Sequence, residues 1–134
     1  MVIRFLQYDD YFKGYMELMY QLSHYEHNIT PDQFKMYLDN NKNIIKVLEH
    51  DNKIIGAGSL FVMDKLHCNP YAQIEDVVID KNYRRQGLGK KIIQDLVETG
   101  RPYYKIVLNC IDENVDFYIS CGFTKSGSQM KYIV

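Results

Sequence analysis

The spacing of apolar and polar positions changes several times along the chain, and each change marks an element. Val2 to Leu6 is a short β-prone apolar run and predicts a first strand. From there to Ser23, Phe12, Tyr15, Met16, Met19, Tyr20 and Leu22 recur at helical spacing, with Asp9 and Asp10 placed to cap the helix. Thr30-Pro31-Asp32-Gln33 predicts a second helix start. Thr30 is the N-cap, Pro31 takes the first helical position, and Gln33 completes a capping box. Phe34, Tyr37 and Leu38 supply that helix with its apolar face. Asn43–Glu49 and Ile54–Met63 flank the turn His50-Asp51-Asn52-Lys53 and predict an antiparallel hairpin. Asn69-Pro70 reads as the end of a loop before a β-branched strand, Ala72–Ile79. The Gly-containing turn Arg84–Gly89 opens a helix to about Thr99, where Gly100 and Pro102 stop it. Ile106–Cys110 predicts a short buried strand. Asp112-Glu113-Asn114 opens a helix over Val115–Ser120, and Phe123–Gln129 with Met130–Val134 predict closing strand material.

The order is β-α-α-β-β-β-α-β-α-β. It predicts an α/β (α+β) fold, a mixed and mostly antiparallel central sheet flanked by helices. No repeat or linker divides the chain, so residues 1–134 read as one domain. Hydrophobic residues make up 46% and charged residues 25%, which excludes a disordered chain. Sixteen Lys and Arg against seventeen Asp and Glu give no general attraction to nucleic acid or an anionic membrane. Three cysteines without CxxC spacing imply reduced thiols and a cytoplasmic setting. The first residues lead straight into a strand, with no secretory leader expected.

The turn Arg84-Arg85-Gln86-Gly87-Leu88-Gly89-Lys90 carries the first chemistry. Glycines let the backbone approach a ligand, and a helix start offers free N–H groups and the positive end of the dipole. With Arg84, Arg85, Lys90 and Lys91 clustered there, the ligand is expected to be an anion. The spacing is neither a Walker loop nor a full dinucleotide fingerprint.

Strand, turn and helix in this order resemble the pyrophosphate-binding motif of the GNAT superfamily of acyltransferases, Gln/Arg-x-x-Gly-x-Gly/Ala. The resemblance narrows with Ile74-Glu75-Asp76-Val77-Val78-Ile79, Tyr104-Lys105-Ile106-Val107-Leu108-Asn109-Cys110, Asn114-Val115-Asp116-Phe117-Tyr118 and Cys121-Gly122-Phe123. These segments, with Gln21-Leu22-Ser23 and Ile29–Phe34, look like the glucosamine-6-phosphate N-acetyltransferases.

That resemblance implies acetyl-CoA as co-substrate, an amino-sugar phosphate as acceptor, and no metal. It implies that Val77, Val78, Ile79, the residues of the turn, Asn114 and Tyr118 hold coenzyme A. Tyr118 would face the leaving sulfur. Ser23, Glu75, Asp76, Asn109 and Lys131 would face the acceptor, in a homodimer completing its site across the interface. Asn109 stands where the family has an acid. It can accept a hydrogen bond from the amine but is no base, so deprotonation would fall to Glu75, Asp76 or water. This departure leaves open another small amine or a protein amino group as acceptor, and a non-catalytic acyl-CoA-binding module.

Backbone N–H groups at Val77–Ile79 could polarise the thioester carbonyl if a β-bulge interrupts the ladder near Asp76. His24 and His27, three apart, lack the His-Glu-x-x-His spacing and an evident third ligand, and Cys110 is expected to be a structural thiol at the end of a buried strand.

Overall fold

The computed structural model describes all residues, Met1–Val134. Five strands form one sheet in the order β1 (Val2–Phe5), β2 (Ile44–His50), β3 (Lys53–Lys65), β4 (Cys68–Ile79), β5 (Ile106–Leu108). Neighbours are antiparallel except β4 and β5, which run parallel. Four α-helices flank it: α1 (Tyr15–Ser23), α2 (Pro31–Asn40), α3 (Leu88–Thr99) and α4 (Val115–Ser120).

Side-chain alternation along the strands gives each face of the sheet its own core. Ile45, Val47, Ile54, Ala57 and Val78 pack with Tyr15, Leu18 and Phe34 of α1 and α2. Leu48, Ile55, Leu60, Ala72 and Ile74 pack with Leu88, Ile92, Ile93 and Leu96, the apolar stripe of α3. Ile92, Ile93 and Leu96 are wholly buried, worth roughly 1.5–3 kcal/mol each. That helix lies unusually close to β3. A Cβ on Gly56 would sit 2.8 Å from Ile92 Cδ1, and one on Gly58 would sit 2.8 Å from Leu96 Cδ1.

Local chemistry accounts for several boundaries. Gln33 N–H donates to Thr30 Oγ1 and Thr30 N–H to Gln33 Oε1, so the expected capping box starts α2. Asp51 and Asn52 both take positive φ, 49° and 60°, closing the tight β2–β3 hairpin. Pro70 lies inside β4 rather than at the end of a loop. It precedes by two residues Ala72, whose N–H reaches Lys105 O, so its missing N–H falls on the edge beyond β5.

Asp9 and Asp10 do not cap one long helix. Residues Tyr8–Lys13 form a 3-10 segment, and Gly14 (φ 91°) breaks the chain before α1. Asp10 is instead fully buried and takes both guanidinium arms of Arg4, at 2.9 and 2.7 Å, plus the Gln7 N–H at 2.8 Å. Arg4 also bonds Glu49 of β2, and Lys13 completes the group. Replacing Asp10 by Ala would leave the guanidinium with Glu49 as its one acidic partner and leave the Gln7 N–H without an acceptor. The expected cost is about 2–3 kcal/mol, a fall in Tm of roughly 6–12 °C measured by calorimetry.

The closing strand does not form. Beyond Phe123 the chain is exposed and without regular structure. A strand there needs a neighbour, and β5, at the end of the sheet, is three residues long. That strand also stops at Leu108, so Asn109 and Cys110 lie outside it and are exposed. Cys110 is therefore not the buried strand-end thiol expected.

Candidate active site

The sheet opens where its two parallel strands part. The last β4–β5 pair is Ile74 with Leu108, yet β4 continues to Ile79. Residues beyond Ile74 thus have no strand on that side, which leaves every second backbone N–H and C=O of the segment free for a ligand. Within the segment the β3–β4 register shifts between Ala57 and Ser59, and Asp76 takes φ 55°. This is the bulge expected near Asp76, and it changes which side each residue faces.

A cavity of about 630 Å³ occupies the opening. Val77, Val78 and Ile79 form its floor, and the turn contributes Arg84, Arg85, Gly87, Leu88, Gly89 and Lys90. Asn114 and Tyr118 close it from the side of α4. Of the residues expected to hold the cofactor, Gln86 alone is absent from the lining. The turn is built as the chemistry needs. Arg84 Nε donates to Ile79 O at 2.9 Å, tying the turn to the end of β4. Arg85 and Gly87 take positive φ, 63° and 76°, and the first α3 bond runs from Lys91 N–H to Gly87 O. The N–H groups of Leu88, Gly89 and Lys90 therefore have no acceptor within the helix and belong to a positive helix end. That arrangement suits a pyrophosphate.

Tyr118 projects from α4, held edge-on by Phe117 and Phe123 at ring distances of 5.0 and 6.0 Å. Burial pushes its phenol above the usual tyrosine value, with the Cys110 and Cys121 thiols adding to the shift. The group is thus a protonated hydroxyl at neutral pH, able to donate to a leaving thiolate.

A second cavity, about 520 Å³, lies on the α1–α2 face. Its walls include Ser23, His27, Tyr37 and Asp76, and Leu22 borders both cavities. The bulge is the partition: Asp76 faces one cavity and Val77–Ile79 the other. Ser23 ends α1, its hydroxyl bonded to Met19 O and Tyr25 O. Glu75 lines neither cavity and accepts a bond from Gln73 on the same strand face. Asn109 and Lys131 also line neither; both are exposed. The bulge therefore brings Asp76 to the α1–α2 cavity without Glu75. Gln21, Tyr83 and Phe117 complete the first cavity, and no sequence spacing singles them out.

Partial burial alone raises the Asp76 carboxyl above the usual range. For an acid raised in the folded state, stability is complete below the unfolded pKa and declines as pH rises through the folded one. Asp76→Asn removes that loss and places in the left-handed region a residue that tolerates it. At pH 7 its Tm should exceed wild type by up to a few degrees, the gap narrowing toward pH 3, while turnover falls about tenfold. Thermal unfolding at both pH values and initial rates check this.

An open parallel-strand edge beside a bulge, a cation-rich turn at a helix start and a protonated tyrosine across the cleft define an acyl-transferase site. The sequence model of the Acetyltransferase (GNAT) family matches residues 3–123, and the chain belongs to that family. Within it, the chain is 41% identical to glucosamine 6-phosphate N-acetyltransferase 1 of Dictyostelium discoideum, over 93% of this chain and 85% of the relative. It is 32% identical to the Arabidopsis thaliana glucosamine 6-phosphate N-acetyltransferase, over 96% and 93%. The crystal structure of the Arabidopsis enzyme superposes with a TM-score of 0.89 at 31% identity, covering 98% and 97% of the two chains. An acetyltransferase of Trypanosoma brucei superposes at 0.90, 29% identical, over 99% of each.

Proposed function

We propose that this protein transfers the acetyl group of acetyl-CoA to the amine of glucosamine 6-phosphate, giving N-acetylglucosamine 6-phosphate for nucleotide-sugar synthesis. The observation that carries this reading is the junction of the two cavities at the Asp76–Val78 bulge, with Tyr118 across the first. Pyrophosphate rests on the turn from Arg84 to Lys90, and the pantetheine arm runs along the free edge of β4. The thioester reaches Val78, and the amine approaches from the Asp76 side. It attacks the carbonyl directly, with no acyl-enzyme. A backbone N–H among Val77–Ile79 steadies the developing oxyanion, and Tyr118 gives its proton to the departing sulfur. Asp76 or water takes the proton from the ammonium. Most of the acceleration comes from holding both substrates in line.

The same reading includes a homodimer. Met130, Tyr132, Ile133 and Val134 are 82% to 114% exposed, a run of large apolar side chains with nothing of this chain against them. A second copy would cover this segment and bring Lys131 to the partner's sugar phosphate. The three free thiols fit a reducing cytoplasm, and no helix is long and apolar enough to cross a membrane.

Thiol release from acetyl-CoA with a panel of amines tests the acceptor. Release with glucosamine 6-phosphate is expected. Release only with a polyamine or peptide would replace the acceptor, and coenzyme A binding without any release would make the chain a binding module. Light scattering tests the assembly: a fully active monomer would overturn the dimer.

A further inference from the structure

Asp80 follows the last residue of β4, is 4% exposed, and lines neither cavity. Its carboxylate nevertheless collects three donors from three parts of the chain. Oδ1 accepts the Asn82 N–H at 2.9 Å. Oδ2 accepts the Gln21 side-chain amide at 3.2 Å and lies 3.3 Å from Lys53 Nζ. Its own N–H bonds Ile55 O, and its carbonyl accepts the Tyr83 N–H. Gln21 is engaged at both ends, because its Oε1 accepts the Lys81 N–H at 2.9 Å.

The position of Gln21 gives these bonds their meaning. It sits in the last turn of α1, directly before Leu22, which borders both cavities, and Ser23, which lines the acceptor side. After Ser23 the chain turns at His24 (φ 55°) and runs without helix or strand to Pro31. No regular element follows closely enough to hold the end of α1 from beyond. Lys81, Asn82 and Tyr83, in contrast, lead directly into the cofactor turn.

We propose that Gln21 and Asp80 form a latch that sets the end of α1 against the entrance of the cofactor turn, making both of them positioning residues for acyl transfer. Neither touches the reacting atoms. The latch fixes Leu22 and Ser23 relative to Val77–Ile79, and so fixes the distance over which amine and thioester must meet. Because the same two side chains hold both sides, ordering the turn around a pyrophosphate also orders the acceptor wall, and the two substrates bind cooperatively. Burial pushes the Asp80 carboxyl up, but its bonds to Asn82, Gln21 and Lys53 outweigh this and hold it below the usual range. It is therefore charged throughout the neutral range.

The proposal rests on the acetyltransferase reading only for its kinetic arm. Gln21→Met keeps side-chain length and removes both bonds, at a position outside the core. Its Tm should fall by no more than about 6 °C, leaving the protein folded at assay temperature. The KM for glucosamine 6-phosphate should rise about tenfold and the calorimetric Kd for acetyl-CoA about fivefold, within what one neutral and one charge-assisted hydrogen bond can supply. Hydrogen exchange at the Lys81 amide should speed by a similar factor. Asp80→Asn and the double variant complete a cycle, and the latch requires their effects on acetyl-CoA binding to be clearly less than additive. Wild-type binding and Lys81 protection in Gln21→Met, or strict additivity, would overturn it. If Asp80→Asn does not fold, Gln21→Met decides alone. If wild-type protein leaves glucosamine 6-phosphate unacetylated, the acceptor assignment has failed, and the binding and exchange measurements still judge the latch.

Discussion

Replacing Tyr118 by Phe is expected to lower kcat by about 10²–10³-fold, the usual contribution of a well-placed general acid. The phenol is half-buried between Phe117 and Phe123, and Phe keeps both edge contacts. The KM for acetyl-CoA should therefore change less than about threefold and Tm hardly at all. The pH profile adds an independent check. In the proposed mechanism Tyr118 acts in its protonated form, and its pKa is raised by burial and by Cys110 and Cys121. Wild-type kcat should thus hold through the ordinary tyrosine range and fall only above it, whereas the Phe variant should lack that alkaline limb. Unchanged turnover would remove Tyr118 from the mechanism.

A comparable loss, on binding rather than chemistry, is expected at Gly87. Its φ of 76° places it in the left-handed region directly before the first residue of α3. Val there is strained by about 1–3 kcal/mol, and the turn relieves the strain by moving. The N–H groups of Leu88, Gly89 and Lys90 then no longer converge. Losing about two charge-assisted hydrogen bonds to phosphate should raise the Kd for coenzyme A roughly 100-fold. Gly89→Ala is the control. A Cβ at Gly89 meets Ile79 Cγ1 and Phe117 Cζ at 3.9 Å, ordinary contact, and its φ is not positive. Its Kd should stay within a few-fold of wild type. Calorimetric titration of both variants distinguishes a turn built around Gly87 from a merely charged surface, for which the two would behave alike.

Both residues could be selected from the sequence, for different reasons. Gly87 belongs to a contiguous turn whose function lies in backbone geometry, and local sequence governs local backbone. Tyr118 was selected by the resemblance of Asn114–Tyr118 to a family segment; its helical setting alone would have made it a core residue. The helix starts at Thr30 and Leu88 and the hairpin at Asp51-Asn52 were readable because capping and turn chemistry act over three or four residues. The expected closing strand does not form because a β-prone segment needs a partner, and propensity says nothing of whether one is within reach. Asp10 does cap, through the Gln7 N–H, but at the start of a short 3-10 segment, and its pairing with Arg4 of β1 lies outside any local helix pattern.

The acceptor side shows the limit most clearly. Glu75 and Asp76 are adjacent in the chain, and the resemblance implies that both face the acceptor. The bulge sends Asp76 to one cavity and leaves Glu75 bonded to Gln73. Gln21 and Asp80, 59 residues apart, meet through the packing of α1 against the end of β4. By itself the sequence determined the order of elements through α4, the glycine-containing turn that opens α3 and the class of reaction, because each resides in short contiguous patterns. Only the tertiary structure decided which of the two acids lines the α1–α2 cavity, how that cavity lies beside the first, and which distant side chains meet at the end of β4. Those are distances between segments far apart in the chain, set by how helices pack on a twisted and bulged sheet.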